Sequence, residues 1–346
     1  MPQTHFVMAL ATEPLIVQRP EGLYCPVGDF FIDPMRKVDR AVITHAHSDH
    51  ARTGHRHYLC AAPGEAVLRA RLGRITLQTL AYGEQIEHHG VKLSLHPAGH
   101  VLGSAQVRLE HQGRVWVASG DYFCSALGEA QSGLAPFEPV PCHVFITEST
   151  FALPLYQWRP QAEVFDDINA WWQANAAQGR PSVIMAYSLG KAQRLQGGVD
   201  ASIGPIAVHG AVAPINAAYA AAGVALPPTV PVDALSPADL GRALVIGPPT
   251  ASAPAAADAL AQASRAFASG WMALRSRRRA QGLDRGFVLS DHADWPGLLR
   301  AIDATGCEQV IVTHGQTDAL VRFLSEQGRQ ARTFNKPPQP ASTPVA

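Results

Sequence analysis

Apolar residues in the first 150 positions come in short runs rather than helical stripes. Phe30-Phe31-Ile32 and Ala41-Val42-Ile43 are apolar throughout, Val91 to Leu95 alternates, and Val115 to Ala118 and Val144-Phe145-Ile146 are again apolar. Such runs, separated by turn-forming residues, predict strands. The last three are each followed within a few residues by a side chain suited to chemistry: His100, Asp121 and Glu148. Reactive residues just past strand ends predict a layered α/β fold whose loops converge on one edge.

From about 155 to 285 the texture changes. Val164 to Ala177 has helical character, Ser182 to Tyr187 reads as a strand, and Gly190 to Leu195 opens another helix. A long Ala- and Pro-rich stretch from Val212 to Ala263 is broken by Pro227-Pro228, Pro231 and Pro248-Pro249. The strand-like runs Val183 to Ala186, Ile206 to Val208 and Leu244 to Ile246 alternate with helices, which predicts a small parallel sheet. After 286 the first texture returns, with Gly286 to Leu289 leading into Asp291-His292 and Gln309 to Val312 leading into His314. A second domain is therefore expected as an insert: 1–154 and 286–335 form one domain, 155–285 the other, and 336–346 a disordered, Pro-rich tail. Trp171-Trp172 reads as helix packing.

The chain has 346 residues, 47% hydrophobic and 16% charged, which suits a folded protein with an ample core. Lys plus Arg and Asp plus Glu both number 28, so a polyanion partner would need a local basic surface, for which Arg275, Arg277, Arg278 and Arg279 are the candidates. Five scattered cysteines without a C-x-x-C pair read as reduced thiols. No signal peptide and no membrane span are expected, and the expected location is cytoplasmic.

The densest chemistry lies in Thr44-His45-Ala46-His47-Ser48-Asp49-His50. In an extended segment His45 and His47 point the same way. A helix starting next would put Asp49 and His50 in its first turn. With His100, Asp121 and His314, five histidines and two aspartates can serve two metals if Asp121 bridges. Neutral imidazole plus carboxylate suits zinc best, with manganese as the alternative. Lys191 after Gly190 does not make a phosphate-binding P-loop, because Ala192 and Met185 stand where that motif needs Ser or Thr and Gly.

H-x-H-x-D-H, an isolated His and a Gly-Asp together resemble the metallo-β-lactamase superfamily, and the insert resembles its β-CASP branch of nucleases. That resemblance implies an αββα sandwich with an inserted β-CASP-like α/β domain. It implies a metal set of His45, His47 and His100, a second of Asp49, His50 and His314, and a bridging Asp121. It also implies that Glu148, in Thr147-Glu148-Ser149-Thr150, supports a catalytic His292 in Ser290-Asp291-His292-Ala293-Asp294. Asp33 would buttress the histidine loop, and Ser188 and Lys191, in the turn Tyr187 to Gln193, would contact substrate phosphate. The short insert and Phe267 to Met272 are similar to the bacterial ligase-associated DNA exonucleases. The implied activity is a two-metal, 5′-to-3′ DNA exonuclease acting on single-stranded or end-containing DNA beside an ATP-dependent DNA ligase and a helicase. Three alternatives stay open: an RNA-cutting β-CASP enzyme, a β-lactamase-like or thioester hydrolase, and an inactive scaffold subunit. His314 bears on the first, since RNA-acting members usually carry histidine there and the Artemis-type group valine.

Overall fold

The short apolar runs become the strands of three sheets. The computed structural model describes residues 13–125, 131, 133–248, 260–274, 276 and 282–334. The first sheet holds six strands in chain order: Val17–Arg19, Gly22–Cys25, Phe30–Ile32, Arg40–Val42, His57–Ala61 and Leu77–Leu80. The second holds seven. Gln85–His88, Val91–Pro97, Ala105–His111 and Arg114–Ala118 form an antiparallel meander. Val144–Ser149, Gln309–Gly315 and Gln330–Arg332 extend it in parallel.

The alternation in Val91–Pro97 sets which side chains enter the core. Val91, Leu93 and Leu95 join Val107, Leu109 and Ile146 of their own sheet against Ile16, Phe30, Ile32 and Val42 of the first. Helices cover both outer faces. Glu65–Leu72 and Ala213–Ala221 pack through Val67, Leu68, Ile215 and Tyr219 onto Ala41, Ile43 and Tyr58 of the first sheet. Trp295–Thr305 and Thr317–Glu326 pack through Leu298, Ile302, Leu320 and Leu324 onto Phe145 and Val310 of the second. The layers therefore run helix, sheet, sheet, helix.

Between the paired strands Val144–Ser149 and Gln309–Gly315 the chain builds the third sheet. Its six strands all pair in parallel, with Ser182–Met185 between Leu244–Gly247 and Ser264–Ala268. Strands buried on both faces read as continuous apolar runs, as Ile206–Val208 and Leu244–Gly247 do. One face packs on the helix Gln161–Ala176 through Ile168, Trp171 and Trp172. The two tryptophans are buried, and their indole N–H groups donate to Ser264 Oγ and the Arg242 carbonyl.

Two local expectations need correction. No helix follows the histidine segment: His50 and Ala51 both donate their N–H to the His47 carbonyl, closing a single turn, and Gly54 at φ +99° lies outside helical backbone. Conversely, Glu65–Leu72 is a helix within a region read as strands. Its stripe of Val67 and Leu68 is too short to stand out from the runs around it. The Arg275, Arg277, Arg278 and Arg279 cluster and the tail at 336–346 lie outside the described residues. Among those described, no helix is long and apolar enough to cross a membrane.

Trp172, fully buried in the third sheet's core, provides a stability test. Trp172→Ala should cost about 3–5 kcal/mol, seen as an earlier urea midpoint by circular dichroism.

Candidate metal centre

Every element that carries a candidate residue delivers it at the C-terminal end of a strand. The histidine segment follows Arg40–Val42, His100 follows Val91–Pro97, and Asp121 follows Arg114–Ala118. Glu148 and His314 lie in the last residues of Val144–Ser149 and Gln309–Gly315. Gly120 makes the Asp121 loop possible. Its φ is +57°, and a Cβ there would sit 2.7 Å from the Thr44 side chain.

Four imidazoles converge, and hydrogen bonds on their outer sides fix the protons. Thr44 donates its N–H to Asp33 Oδ1 (2.8 Å) and its hydroxyl to Oδ2 (2.5 Å). Its only hydroxyl proton being committed, Thr44 Oγ1 accepts from His45 Nδ1–H at 3.1 Å. His50 donates from Nδ1 to Asp33 Oδ2 (2.7 Å), His100 from Nδ1 to the Asp291 carbonyl (2.8 Å), and His47 from Nε2 to the Leu189 carbonyl (3.1 Å). His45, His47 and His100 thus turn lone pairs inward, and His50 turns Nε2 toward Asp121. His47 Nδ1 lies 3.0 Å from both His45 Nε2 and His100 Nε2. Asp121 Oδ2 lies 3.6 Å from His45 Nε2, 3.8 Å from His100 Nε2 and 3.3 Å from His50 Nε2.

That arrangement fits a metal ion. Lone pairs facing one another at 3.0 Å repel unless a cation lies between them. Two ligands at zinc's ordinary bond length of roughly 2.0–2.1 Å sit about that far apart in a tetrahedral site. The ligand atoms of His45, His47, His100 and Asp121 all lie within 4.8 Å of one another. Buried His50 Nε2 has no hydrogen-bond partner. Burial lowers the pKa of His45, His47 and His100, keeping them neutral as ligands must be. For His50, burial pulls the pKa down, but the Asp121 and Asp33 carboxylates overcome it and hold it well above the ordinary imidazole value.

The other expected set, Asp49, His50 and His314, is looser. Asp49 Oδ2 is 3.8 Å from His50 Nε2 with its side chain 64% exposed. His314 stacks on His50 at 5.6 Å between ring centroids, is exposed, and adopts φ 44°, in the left-handed region. Such backbone is uncommon outside glycine and collects at functional sites.

Glu148 and His292 meet directly. His292 Nδ1 lies 2.9 Å from both carboxylate oxygens of Glu148. Tyr122 N–H (2.8 Å) and the Thr150 hydroxyl also donate to that carboxylate. Burial lowers the His292 pKa, yet Glu148, Asp121 and Asp291 outweigh it and raise it to about 9. The His292 carbonyl accepts from Trp158 Nε1 at 2.9 Å, anchoring its loop.

Lys191 needs a different reading. It lines the cleft, but its ammonium is 5% exposed and 2.7 Å from Asp291 Oδ2, which Arg194 also binds through Oδ1 at 3.1 Å. A phosphate could reach it only in competition with Asp291, so in this structure Lys191 is a tie to the His292 loop rather than a phosphate contact. Backbone amides at this turn are also engaged: Gly190 N–H donates to Gln193 Oε1 and Ala192 N–H to the Tyr187 carbonyl. Ser188 is half-buried beside them, and its carbonyl accepts from Gln193.

Several residues of this site escaped the sequence reading: Asp291, Arg194, Thr44, Thr150 and the aromatics Phe151, Tyr187 and Trp271. An acid beside His292 and two cations three apart on one helix, Lys191 and Arg194, were the available signal for the triad. Asp291, Thr150, Phe151, Tyr187 and Trp271 line one cleft of about 490 Å³ with His47, His100, Asp121 and His292.

No family model matches the chain. It is 31% identical over 321 residues to a protein named Probable DNA ligase from Opitutus terrae, covering 92% of this chain and 31% of that protein. It is 29% identical to Endoribonuclease YSH1 of Candida glabrata over 34% of this chain and 15% of that one. It is 30% identical to Cleavage and polyadenylation specificity factor 73 of Drosophila melanogaster over 38% of this chain and 18% of that one. These likenesses fit the resemblance to the β-CASP branch of the metallo-β-lactamase superfamily. It spans about a third or less of the length of these curated relatives. A crystal structure of a protein of unknown function from Enterococcus faecalis shares the fold, with a TM-score of 0.57 at 12% identity over 87% of this chain and 80% of that one.

The Glu148–His292 pair makes a pH prediction for the protein with metal chelated. The stability it contributes is fully present below the unfolded pKa of 6.5 and is lost as pH rises through about 9, because the native pKa is raised. Glu148→Gln should lower the His292 pKa by about one unit or more and flatten that dependence. Ring-proton NMR and urea unfolding across pH measure both; an unmoved titration would mean Glu148 does not hold the proton.

Proposed function

We propose that the protein is a two-metal phosphodiesterase acting as a DNA exonuclease, with 5′-to-3′ polarity, on DNA ends in repair. The observation that carries this reading is one cleft holding inward-facing imidazoles, Asp121 and the Glu148-supported His292. The match to a protein named for DNA ligase activity, over nearly all of this chain, supports DNA as substrate and a functional partnership with an ATP-dependent ligase and a helicase. In this reading 1–154 and 286–335 form the metallo-β-lactamase αββα sandwich and 155–285 is the β-CASP-like insert, whose helix Ala213–Ala221 also packs against the sandwich beside Glu65–Leu72. The protein works in the cytoplasm, where its five cysteines stay reduced.

His45, His47, His100 and Asp121 would hold one ion, and Asp49, His50 and His314, sharing Asp121, the other. Zinc suits the donors best, with manganese as the alternative. Bound divalent ions supply water activation near neutral pH and charge neutralisation of a phosphodiester. His292 does the chain's own proton transfer. Glu148 accepts the hydrogen bond from Nδ1–H, so the Nε2 proton is left to go to the leaving oxygen. The raised pKa keeps that proton available at neutral pH. Asp33 holds Thr44 and His50, and through Thr44 fixes His45, so it orients ligands without touching substrate. Ser188 is the remaining candidate for phosphate contact.

A second reading, RNA cleavage, is favoured by the relatives named Endoribonuclease YSH1 and by His314. Matched single- and double-stranded DNA and RNA, labelled at 5′ or 3′ ends and digested with zinc or manganese, separate the two. The expected result is stepwise loss from the 5′ end of DNA, reduced by about 10³-fold or more in His47→Ala and Asp49→Ala. RNA cut while DNA is spared would reverse the substrate, and DNA digestion surviving both substitutions would sink the metal mechanism.

A further inference from the structure

Three aromatic rings line the same cleft as the candidate ligands and have no part in the chemistry above: Phe151, Tyr187 and Trp271. Tyr187 and Trp271 follow Ser182–Met185 and Ser264–Ala268, neighbouring parallel strands that pair Met185 with Phe267. Their loops therefore leave the third sheet side by side at its carboxyl edge, where open parallel sheets bind ligands. Phe151 comes from the other domain, two residues past Val144–Ser149.

Two of the rings, Phe151 and Trp271, join a series that starts at the candidate ligands. His100 and His292 lie 4.7 Å apart and tilted, His292 and Phe151 5.9 Å apart, and Phe151 and Trp271 4.8 Å apart. Phe151 is 2% exposed and braced by Tyr156 and Trp158, each at 4.9 Å, so it supports the others without moving. Gly270 is what lets Trp271 close on it, since a Cβ there would fall 2.5 Å from the Phe151 ring. The Ser269 hydroxyl accepts from Trp271 N–H at 3.3 Å and fixes the short 3-10 turn. Trp271 is half-buried, while Tyr187 is 56% exposed, unusual for a large ring beside so polar a site.

We propose that Trp271, backed by Phe151 and flanked by Tyr187, is a stacking platform for an unpaired nucleobase, which makes single-stranded DNA the substrate form the cleft selects. This rests on the nuclease reading above and deepens it. A base within a duplex already has both faces stacked, so it gains nothing from Trp271. An unpaired base has a free face, and stacking on an aromatic side chain is sequence-tolerant. The platform therefore selects strandedness and leaves sequence unread.

The test is fluorescence anisotropy with metal chelated, so that nothing is cut. A labelled oligo-dT strand, the same strand with abasic sites, and a blunt duplex are titrated with wild type, Trp271→Ala, Trp271→Phe and Tyr187→Ala. Wild type should bind oligo-dT between about fivefold and 100-fold more tightly than the abasic strand. Trp271→Ala should erase most of that preference, Trp271→Phe should retain it, and Tyr187→Ala should lose part of it. Equal binding of dT and abasic strands by wild type, or an undiminished preference in Trp271→Ala, would overturn the proposal. The wild-type comparison needs no variant, so misfolding cannot blur the result. Loss of cleavage with this binding pattern intact would instead count against the nuclease reading alone.

Discussion

The inward lone pairs of His45, His47 and His100, with His50 beside them, are the constraint on which the site depends. Left alone those lone pairs repel, and desolvation makes the usual escape, protonation, costly for all three rings. The fold holds them there with acceptors on their outer nitrogens: Asp33 for His50, Thr44 for His45, and the carbonyls of Asp291 and Leu189 for His100 and His47. Those acceptors come from both parts of the chain. Leu189 follows Ser182–Met185 and Asp291 follows Arg285–Phe287, both strands of the third sheet, so that sheet takes part in building the centre.

Asp291 links the layers most tightly. Its carbonyl fixes His100, its carboxylate binds Lys191 and Arg194, and its neighbour His292 pairs with Glu148. Arg194 also donates to the Ser290 carbonyl. A buried charge triad of this kind contributes little net stability over an apolar replacement but strongly penalises loss of one member. Its effect here is specificity of position: the helix Lys191–Gly198 and the His292 loop have one favourable arrangement.

Much of the fold was legible because burial leaves a period in the sequence. Val91–Pro97 alternates because one face enters the inter-sheet core, and Ile206–Val208 and Leu244–Gly247 are apolar throughout because both faces are covered. Glu65–Leu72 was missed because a helix of two turns leaves too few periodic positions. The helix expected at Asp49 and His50 was overridden by a turn closed on the His47 carbonyl.

The sequence by itself determined the kinds of ligand and their places at strand ends, because donor chemistry belongs to side chains and strand ends are written in local pattern. Only the tertiary structure decided what each donor faces. That His45 keeps its proton on Nδ1, that Lys191 is paired rather than free, and that Trp271 lies against Phe151 all depend on contacts between residues far apart in the chain. Local spacing carries no information about such contacts, since their partners are brought together by the packing of three sheets.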